Sequence, residues 1–127
     1  MENLQLKGEK SFGKTRVKVN VQVILFEEDD IWYAYLPALD INGYGNNEEE
    51  AKESLKIAID EFIRYTLNKN TFYDELKRLG WIIKKSKKTL IAPKISDLIN
   101  ENQELKEIVD SRRYKSDGYQ VRVPVLA

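Results

Sequence analysis

The sequence predicts an α+β fold, in which a small antiparallel sheet packs against one main helix and a C-terminal half adds two helices and short strands. Three stretches carry this prediction: alternating apolar and polar residues over 15–26, an aromatic-rich run over 31–36, and apolar residues at helical spacing over 48–67. They follow one another with almost no connecting sequence. Their order therefore predicts one compact β-β-β-α unit, to which the other segments are additions.

The first predicted strand covers residues 15–26, where apolar and polar side chains alternate. A period of two places the alternating apolar side chains on one face of a sheet. Ile24 and Phe26 interrupt the polar face near the end of the strand, so we expect that end to be covered on both sides. The alternating apolar residues are Val17, Val19, Val21, Val23 and Leu25.

A charged turn over residues 27–30 separates this strand from the run 31–36. Because a four-residue connection allows only an antiparallel pair, the two strands are predicted to form a hairpin. Pro37 ends regular pairing, and residues 40–44 are predicted to add a short third strand.

The main helix is predicted over residues 48–67, since its apolar residues recur at steps of four and three. Those steps keep them on one face of a helix with 3.6 residues per turn. Asn47 stands at the N-cap with Glu50 three residues later, close to a capping box. The apolar stripe consists of Ala51, Leu55, Ala58, Phe62 and Tyr65.

A short second helix is predicted over residues 71–79. Thr71 is expected to cap its start, and Gly80 stands where a C-terminal glycine belongs. The β-prone runs 81–83 and 89–92 are then predicted to pair as a hairpin around a lysine-rich turn.

A third helix is predicted over residues 96–111, followed by a polar loop over 112–118. Residues 119–125 alternate apolar and polar side chains, which predicts a terminal strand. Pro124 lacks a backbone N–H, so we expect this strand to lie at a sheet edge.

The length of 127 residues predicts a single domain, 1–127, with a core unit at 14–68 and a C-terminal extension at 69–127. The chain has no cysteine and no histidine, which excludes disulfides, thiolate or imidazole metal sites and Ser-His or Cys-His catalysis. No cofactor and no metal are expected. No apolar run is long enough to span a bilayer, so we expect a soluble cytoplasmic protein without membrane contact.

The net charge is zero, but the charges are unevenly distributed. Residues 48–61 hold six carboxylates and two lysines, whereas residues 76–96 hold seven basic residues and no acidic one. The plainer interpretation is that each charge run is a solvent-exposed face without a binding role. The functional interpretation is that the acidic run binds a basic partner and the basic run binds phosphate or nucleic acid.

The aromatic residues Trp32, Tyr33 and Tyr35 are candidates for a partner-binding surface, because aromatic side chains dominate interface hot spots. Alternation places Tyr33 and Tyr35 on one face of the strand and Trp32 on the other. Core and cross-strand packing is the competing interpretation for all three. The strand face away from the main helix is the better candidate for a partner surface.

The acidic residues of 27–30, with Asp40, invite comparison with a two-metal nuclease, which needs clustered carboxylates. Four consecutive acids at a turn point in different directions and do not converge. We therefore predict a charged hairpin tip that keeps the sheet edge soluble.

Gly43 and Gly45 flank Tyr44 just before the main helix, a pattern that resembles a phosphate-binding loop only weakly. No lysine with serine or threonine follows, and the three glutamates at the helix start would repel phosphate. We predict instead that both glycines serve turn geometry with positive φ.

The basic segment Lys84, Lys85, Lys87 and Lys88 is a candidate for contact with nucleic acid. It lacks interleaved aromatic residues apart from the nearby Trp81. A solvated hairpin tip is the plainer interpretation, and a nucleic-acid-binding transcriptional regulator is the alternative function.

The unit over about residues 16–68 resembles the HicB-type antitoxin family. The residues that carry the resemblance are an aromatic strand, then Pro37 with Leu39, then Gly43 and Gly45, and last a helix start of the Thr-x-Glu-Glu-Ala kind, which here reads Asn47-Glu48-Glu49-Glu50-Ala51. The aromatic strand is Trp32-Tyr33-Ala34-Tyr35. The resemblance covers less than half of the chain.

The resemblance implies a partial RNase H-like core and a non-enzymatic antitoxin that neutralises a small basic toxin of the HicA type, an mRNA-cleaving protein. Glu48, Glu49, Glu50 and Glu53 are expected to steer this toxin, and an exposed strand edge to pair the chain into a homodimer. Many members also bind operator DNA through a C-terminal helix-turn-helix or ribbon-helix-helix module. Residues 69–127 show neither pattern, which gives operator binding weaker grounds than toxin binding.

Overall fold

The computed structural model describes residues 15–84, 89–111 and 113–125. Within them, four strands form one sheet and two strands form a small second sheet, with four helices around them. No helix among these residues has the length and apolar character needed to cross a membrane. The elements in chain order are β1 (Thr15–Glu28), β2 (Ile31–Leu36), β3 (Ile41–Gly45), α1 (Glu48–Asn68), α2 (Phe72–Arg78), β4 (Ile82–Lys84), β5 (Thr89–Ile91), α3 (Ile95–Glu101), α4 (Gln103–Ser111) and β6 (Tyr114–Val125).

The main sheet has the strand order β3-β2-β1-β6, and every neighbouring pair is antiparallel. This confirms the α+β class, the meander of β1 to β3 and the edge position of the terminal strand. β2 pairs with the end of β1 between Ile24 and Glu28, whereas β6 pairs with β1 along twelve positions.

The start of β6 differs from the prediction, which placed a polar loop over 112–118. The strand begins at Tyr114, and two of its charged residues, Lys115 and Asp117, face α1 instead of lying in a loop. Lys115 Nζ lies 2.7 Å from Glu48 Oε2, and Lys52 Nζ lies 3.0 Å from Asp117 Oδ2. The polarity of this stretch therefore reflects contacts with a helix, which the sequence does not reveal.

The turn between β1 and β2 is shorter than predicted. Glu28 pairs with Ile31, so only Asp29 and Asp30 form the loop, with φ angles of 53° and 65°. Two residues with positive φ are typical of the hairpin turn whose twist matches that of the flanking strands. The predicted four-residue connection was wrong because Glu27 and Glu28 belong to β1.

Helix α1 begins where its capping residues predict. The Asn47 side chain accepts a hydrogen bond from Glu50 N at 2.8 Å, and Glu50 Oε1 accepts one from Asn46 N at 2.9 Å. The acceptors thus satisfy backbone N–H groups on both sides of the helix start. Ala51, Leu55 and Ile59 of α1 are buried against the sheet.

Gly43 and Gly45 were predicted to have positive φ, and this was wrong. Of the glycines that the structure describes, Gly80 has a positive φ, of 98°. A Cβ atom on Gly43 would lie 2.2 Å from Leu55 N, and one on Gly45 would lie 2.4 Å from Glu50 Cβ. Both glycines therefore allow α1 to approach β3 closely.

The single helix predicted over 96–111 is also wrong, because the chain breaks into α3 and α4 at Asn102. Asn102 has φ −122° and ψ 106°, and its side chain accepts a hydrogen bond from Leu105 N at 3.1 Å. Asn102 therefore acts as the cap of α4. The two helices cover the sheet face opposite α1, where Ile24, Tyr35 and Leu105 are buried together.

The region after α1 largely follows the prediction. Gly80 ends α2 with its positive φ, and β4 pairs with β5 as a hairpin. Thr71 makes no side-chain hydrogen bond at the start of α2, so its predicted capping role was wrong. Trp81 is buried, and its indole N–H donates to Ala38 O at 2.7 Å, which fastens this region to the turn between β2 and β3.

Candidate functional site: an acidic groove with an aromatic floor

A groove runs along the sheet face opposite α1, between the β1–β2 hairpin and α4. It consists of two adjoining clefts of about 340 and 500 Å³. Residues of β1 and α4 line both clefts, so the two form one continuous surface feature. The shared residues are Phe26, Glu28, Glu104 and Ile108.

The floor of the groove is aromatic. The rings of Phe26 and Tyr33 stack with their centroids 5.2 Å apart and an angle of 18° between their planes. The strand register places Tyr114 beside Phe26 and Tyr44 beside Tyr33, so one aromatic residue of each strand lies in a single row. Tyr44, at the β3 end of this row, is 66% exposed. The row therefore extends from beneath α4 to the open edge of the sheet.

The walls of the groove are acidic. Six carboxylates and one guanidinium, that of Arg113, line the two clefts. None of the six carboxylates forms a salt bridge within residues 15–84, 89–111 and 113–125. The described lining of the groove therefore combines aromatic surface with an excess of negative charge. The acidic residues are Glu27, Glu28, Asp29, Asp40, Glu104 and Glu107.

A hydrogen-bonded group lies at the inner end of the groove. Tyr35 Oη donates to Asp40 Oδ1 at 2.7 Å and accepts from Asn102 Nδ2 at 3.2 Å. Asp40 adopts the left-handed conformation, with φ 55°. Asn102 lies at the break between α3 and α4, and its side-chain amide contacts Tyr35 there.

Burial of Tyr35 raises the pKa of its phenol well above the ordinary value, and the hydrogen bond to Asp40 raises this pKa further. Above about pH 10 the unfolded chain loses this proton while the folded protein keeps it, so the free energy of unfolding must fall with rising pH. We expect a decrease of up to about 1.4 kcal/mol per pH unit from this group.

Urea denaturation of the wild type and Tyr35→Phe between about pH 9 and 11 tests this expectation. The variant should lose about 1 kcal/mol at neutral pH, because Asp40 loses its donor. It should also show a shallower alkaline decline. Tyr119, whose pKa burial also raises, leaves a residual slope in both proteins. Equal slopes in the two proteins would contradict the assignment to Tyr35.

The structure separates the three aromatic residues that the sequence singled out. Tyr33 lines the groove, and Trp32 packs against the core on the opposite face, as alternation predicted. Tyr35 shares the groove side but is only 8% exposed, because α3 and α4 cover it. Tyr35 therefore positions Asp40 and presents little surface of its own.

The acidic residues of α1 lie on the other side of the molecule from the groove. Glu48 is bound by Lys115, and Glu50 is engaged at the helix start. Glu49 and Glu53 are exposed, and neither has an ion pair within the described part of the chain. The two acidic surfaces are thus distinct, and the α1 surface is the weaker of the two candidates.

The lysine-rich segment is only partly described. Lys84 is exposed at the end of β4, while Lys85, Lys87 and Lys88 lie outside the described residues. Ile82 and Ile91 form an exposed cross-strand pair on the same hairpin. Among the described residues, no three or more His, Cys, Asp or Glu side chains lie close enough together to hold a metal ion, and this includes the acids of the β1–β2 turn.

Sequence reasoning missed the part of the groove that comes from α4. Glu104 and Glu107 lie within the stretch that was predicted as one long helix, and the sequence analysis gave them no role. Asn102 is the residue that indicates an interruption of this helix, because asparagine favours helix caps over helix interiors.

Comparisons of the chain with models of protein families, with curated proteins and with solved structures gave no match.

Proposed function

We propose that the protein is a non-enzymatic cytoplasmic antitoxin of the HicB kind, which neutralises a small basic toxin of the HicA kind by binding it. The observation that supports this proposal best is the acidic groove with its aromatic floor. Aromatic residues supply most of the binding energy in protein interfaces, and complementary charge selects the partner. A basic RNA-cleaving protein meets both requirements.

The charge of the groove argues against nucleic acid as its ligand. Phosphate groups would meet carboxylates of Glu28, Glu104 and Glu107 on the walls, with the guanidinium of Arg113 as the lining cation. Binding proteins for nucleic acid instead present a positive surface. The partner that fits this surface is therefore a cationic protein.

Neutralisation would be steric. A specific interface buries about 1,600 Å² in total, which exceeds what the groove alone offers. The neighbouring exposed Tyr44 and the open β3 edge lie next to the groove and extend the available surface. A toxin seated there would have its cationic RNA-binding face covered, because that face supplies the complementary charge.

The test is a pull-down of the tagged protein from its own cells at low and moderate salt, followed by binding kinetics with the recovered partner. We expect a small basic protein that stops growth when it is expressed alone and no longer does so when this chain is co-expressed. Recovery of nucleic acid alone, lost as salt rises, would instead favour the alternative regulator that uses the Lys84 segment.

Charge reversal then locates the interface. In Glu104→Lys with Glu107→Lys we expect affinity to fall by at least about 30-fold, mostly through faster dissociation. The matched control, Glu49→Lys with Glu53→Lys, makes the same charge change on α1. It should lower the association rate by about threefold at most. A larger loss in the α1 variant would place the partner on that helix and contradict the groove.

We further propose that the chain forms a homodimer through β6. This strand pairs with β1 on one side, and its other edge is open along twelve residues within the described sheet. A long strand edge without a neighbour favours pairing with another strand, and a second copy offers the same edge. Light scattering should give twice the 14.9 kDa of one chain. A measured mass equal to that of one chain at micromolar concentration would refute the homodimer.

A further inference from the structure

We propose that duplex DNA binds to the outer face of the β1–β6 pair, at the end of the main sheet away from the groove. The outer face is the side of these two strands that points away from α1. It is a second surface of the molecule, and the inference does not depend on the proposed antitoxin function. Its exposed polar residues are Lys18, Asn20 and Gln22 of β1 and Ser116, Gln120 and Arg122 of β6.

Strand alternation leaves this face open to a large ligand. Val19 and Val21 of β1 belong to the core that contains Leu55 of α1, so Lys18 and Asn20 between and beside them point to the other side. The helices α3 and α4 cover that side farther along the strand, where residue 24 is buried. A homodimer formed through β6 would also leave the face open, because strand pairing uses the backbone edge and not the side chains.

The first argument for an anionic ligand is an unfavourable pair of like charges. The strand register places Lys18 directly opposite Arg122. Both side chains are exposed, and neither forms a salt bridge with another described residue. Like charges directly opposite each other in a sheet are destabilising. A phosphate group bound between the two cations would offset this repulsion.

The second argument is the row of amide and hydroxyl groups that continues from the two cations along the strands. Gln120 Nε2 donates to Asn20 Oδ1 at 3.4 Å, and Ser116 Oγ donates to Gln22 Oε1 at 2.6 Å. Lysine, arginine, serine, asparagine and glutamine are all side chains that contact phosphate oxygens in protein–DNA complexes. Asparagine and glutamine also pair with the adenine edge in the major groove. The row therefore offers both kinds of contact.

The third argument is the separation of this face from the acidic groove. Lys18 and Glu28 belong to the same strand, and the ten residue steps between them span about 33 Å. At physiological salt, interactions between exposed charges are largely screened beyond about 8 Å. The carboxylates of the groove therefore do not cancel the attraction between phosphate and the cations Lys18 and Arg122.

The chemistry of the face selects duplex DNA among nucleic acids. Its six exposed polar residues include no aromatic ring on which unpaired bases could stack, which disfavours a single strand. In duplex RNA the major groove is too deep and narrow for side chains to read. In DNA this groove is accessible, so the amides of Asn20 and Gln120 can reach base edges while the cations contact phosphates.

The experiment is an anisotropy titration of the full chain with a fluorescein-labelled DNA duplex of about 20 base pairs, repeated between about 50 and 200 mM salt. Each phosphate contact contributes about 0.9 to the slope of log Kd against log salt, so Lys18 and Arg122 should contribute about 1.8 together. Lys18→Gln with Arg122→Gln should remove this part of the slope and weaken binding at least about tenfold at the lowest salt. Slopes that differ by less than about 0.5, or no binding by the wild type, would overturn the proposal.

Matched variants locate the DNA on this face. Lys84→Gln with Lys94→Gln removes the same charge from exposed positions of the C-terminal half and should change the slope by less than about 0.5. Lys18→Arg with Arg122→Lys keeps both charges and should keep the slope. Because the like-charge pair is unfavourable, Lys18→Gln with Arg122→Gln should unfold at no lower urea concentration than the wild type. An equal loss of slope in the Lys84 and Lys94 variant would place the DNA elsewhere and refute the proposal.

The amides and the class of nucleic acid are tested separately. Asn20→Ala with Gln120→Ala should weaken binding about threefold and leave the salt slope unchanged, since neither residue is charged. The DNA duplex should bind at least about threefold more tightly than a single strand or an RNA duplex of the same sequence. Equal or tighter binding of either competitor would overturn the assignment to duplex DNA.

Discussion

Replacement of Gly43 by alanine is expected to destabilise the protein by about 3 kcal/mol or more. A Cβ atom there would lie 2.2 Å from Leu55 N, 2.5 Å from Ala51 O and 2.6 Å from Leu55 Cα. These are backbone atoms of α1, so no side-chain rotation relieves the overlap. The helix has to lift from β3, which exposes the buried residues Ala51 and Leu55.

Gly118→Ala is the matched control, because Gly118 also lies in a strand of the same sheet. Apart from Gly118 and its two chain neighbours, no heavy atom of the described residues lies within 4 Å of the Cβ that this change would add. Since glycine in a strand is unfavourable by about 0.5–1 kcal/mol relative to alanine, we expect neutral or slightly increased stability. Urea denaturation followed by circular dichroism compares the two. If the unfolding free energies of the two variants differ by less than about 1 kcal/mol, then the close approach of α1 does not explain the glycine at position 43.

The two glycines also show where sequence reasoning stops. Gly43 and Gly45 were assigned to turns with positive φ, which is the commonest local reason for a glycine. The reason here is tertiary, since the space for a side chain is taken by a helix that follows several residues later. The turn that does need positive φ uses Asp29 and Asp30 instead.

Periodicity predicted strand β1 and helix α1. Most of β1 and the whole of α1 bury one regular face, so their types and most of their bounds followed from spacing, whereas β2 was predicted from its aromatic-rich composition and is buried on both faces at its end. Alternation also placed Tyr33 and Tyr35 together on one face of β2, and the structure shows that this face lies away from α1, where the groove is. The shared face of the two tyrosines was therefore predictable from sequence, but the side of the sheet that they occupy was not.

The part of the site that α4 contributes was not predictable from periodicity. Apolar residues at helical spacing stand on both sides of Asn102, which predicts one helix where the structure has two. At the interruption Asn102 Nδ2 donates to the hydroxyl of Tyr35, which lies 67 positions earlier in the chain. Spacing within residues 95–111 does not reveal that contact, so it did not predict Glu104 and Glu107 on the groove.

Trp81→Ala is expected to remove about 3–5 kcal/mol of stability, typical of a buried tryptophan. The side chain is 4% exposed, and its indole N–H donates to Ala38 O at 2.7 Å. Truncation leaves a cavity and also an unsatisfied buried carbonyl. Ile82→Ala is the control, because the neighbouring Ile82 is 53% exposed and should contribute less than about 1 kcal/mol.

The consequence of this change extends to the groove. Ala38 and Asp40 belong to the same turn between β2 and β3, and Trp81 is the contact that fastens this turn from the C-terminal half. Trp81→Phe, which keeps most of the bulk but loses the donor, should cost about 1–3 kcal/mol and remain folded. Loosening of the turn should then weaken the hydrogen bond from Tyr35 to Asp40, so the alkaline decline in the free energy of unfolding should become shallower than in the wild type. An unchanged alkaline decline in a folded Trp81→Phe variant would show that Tyr35 and Asn102 hold Asp40 without help from Trp81.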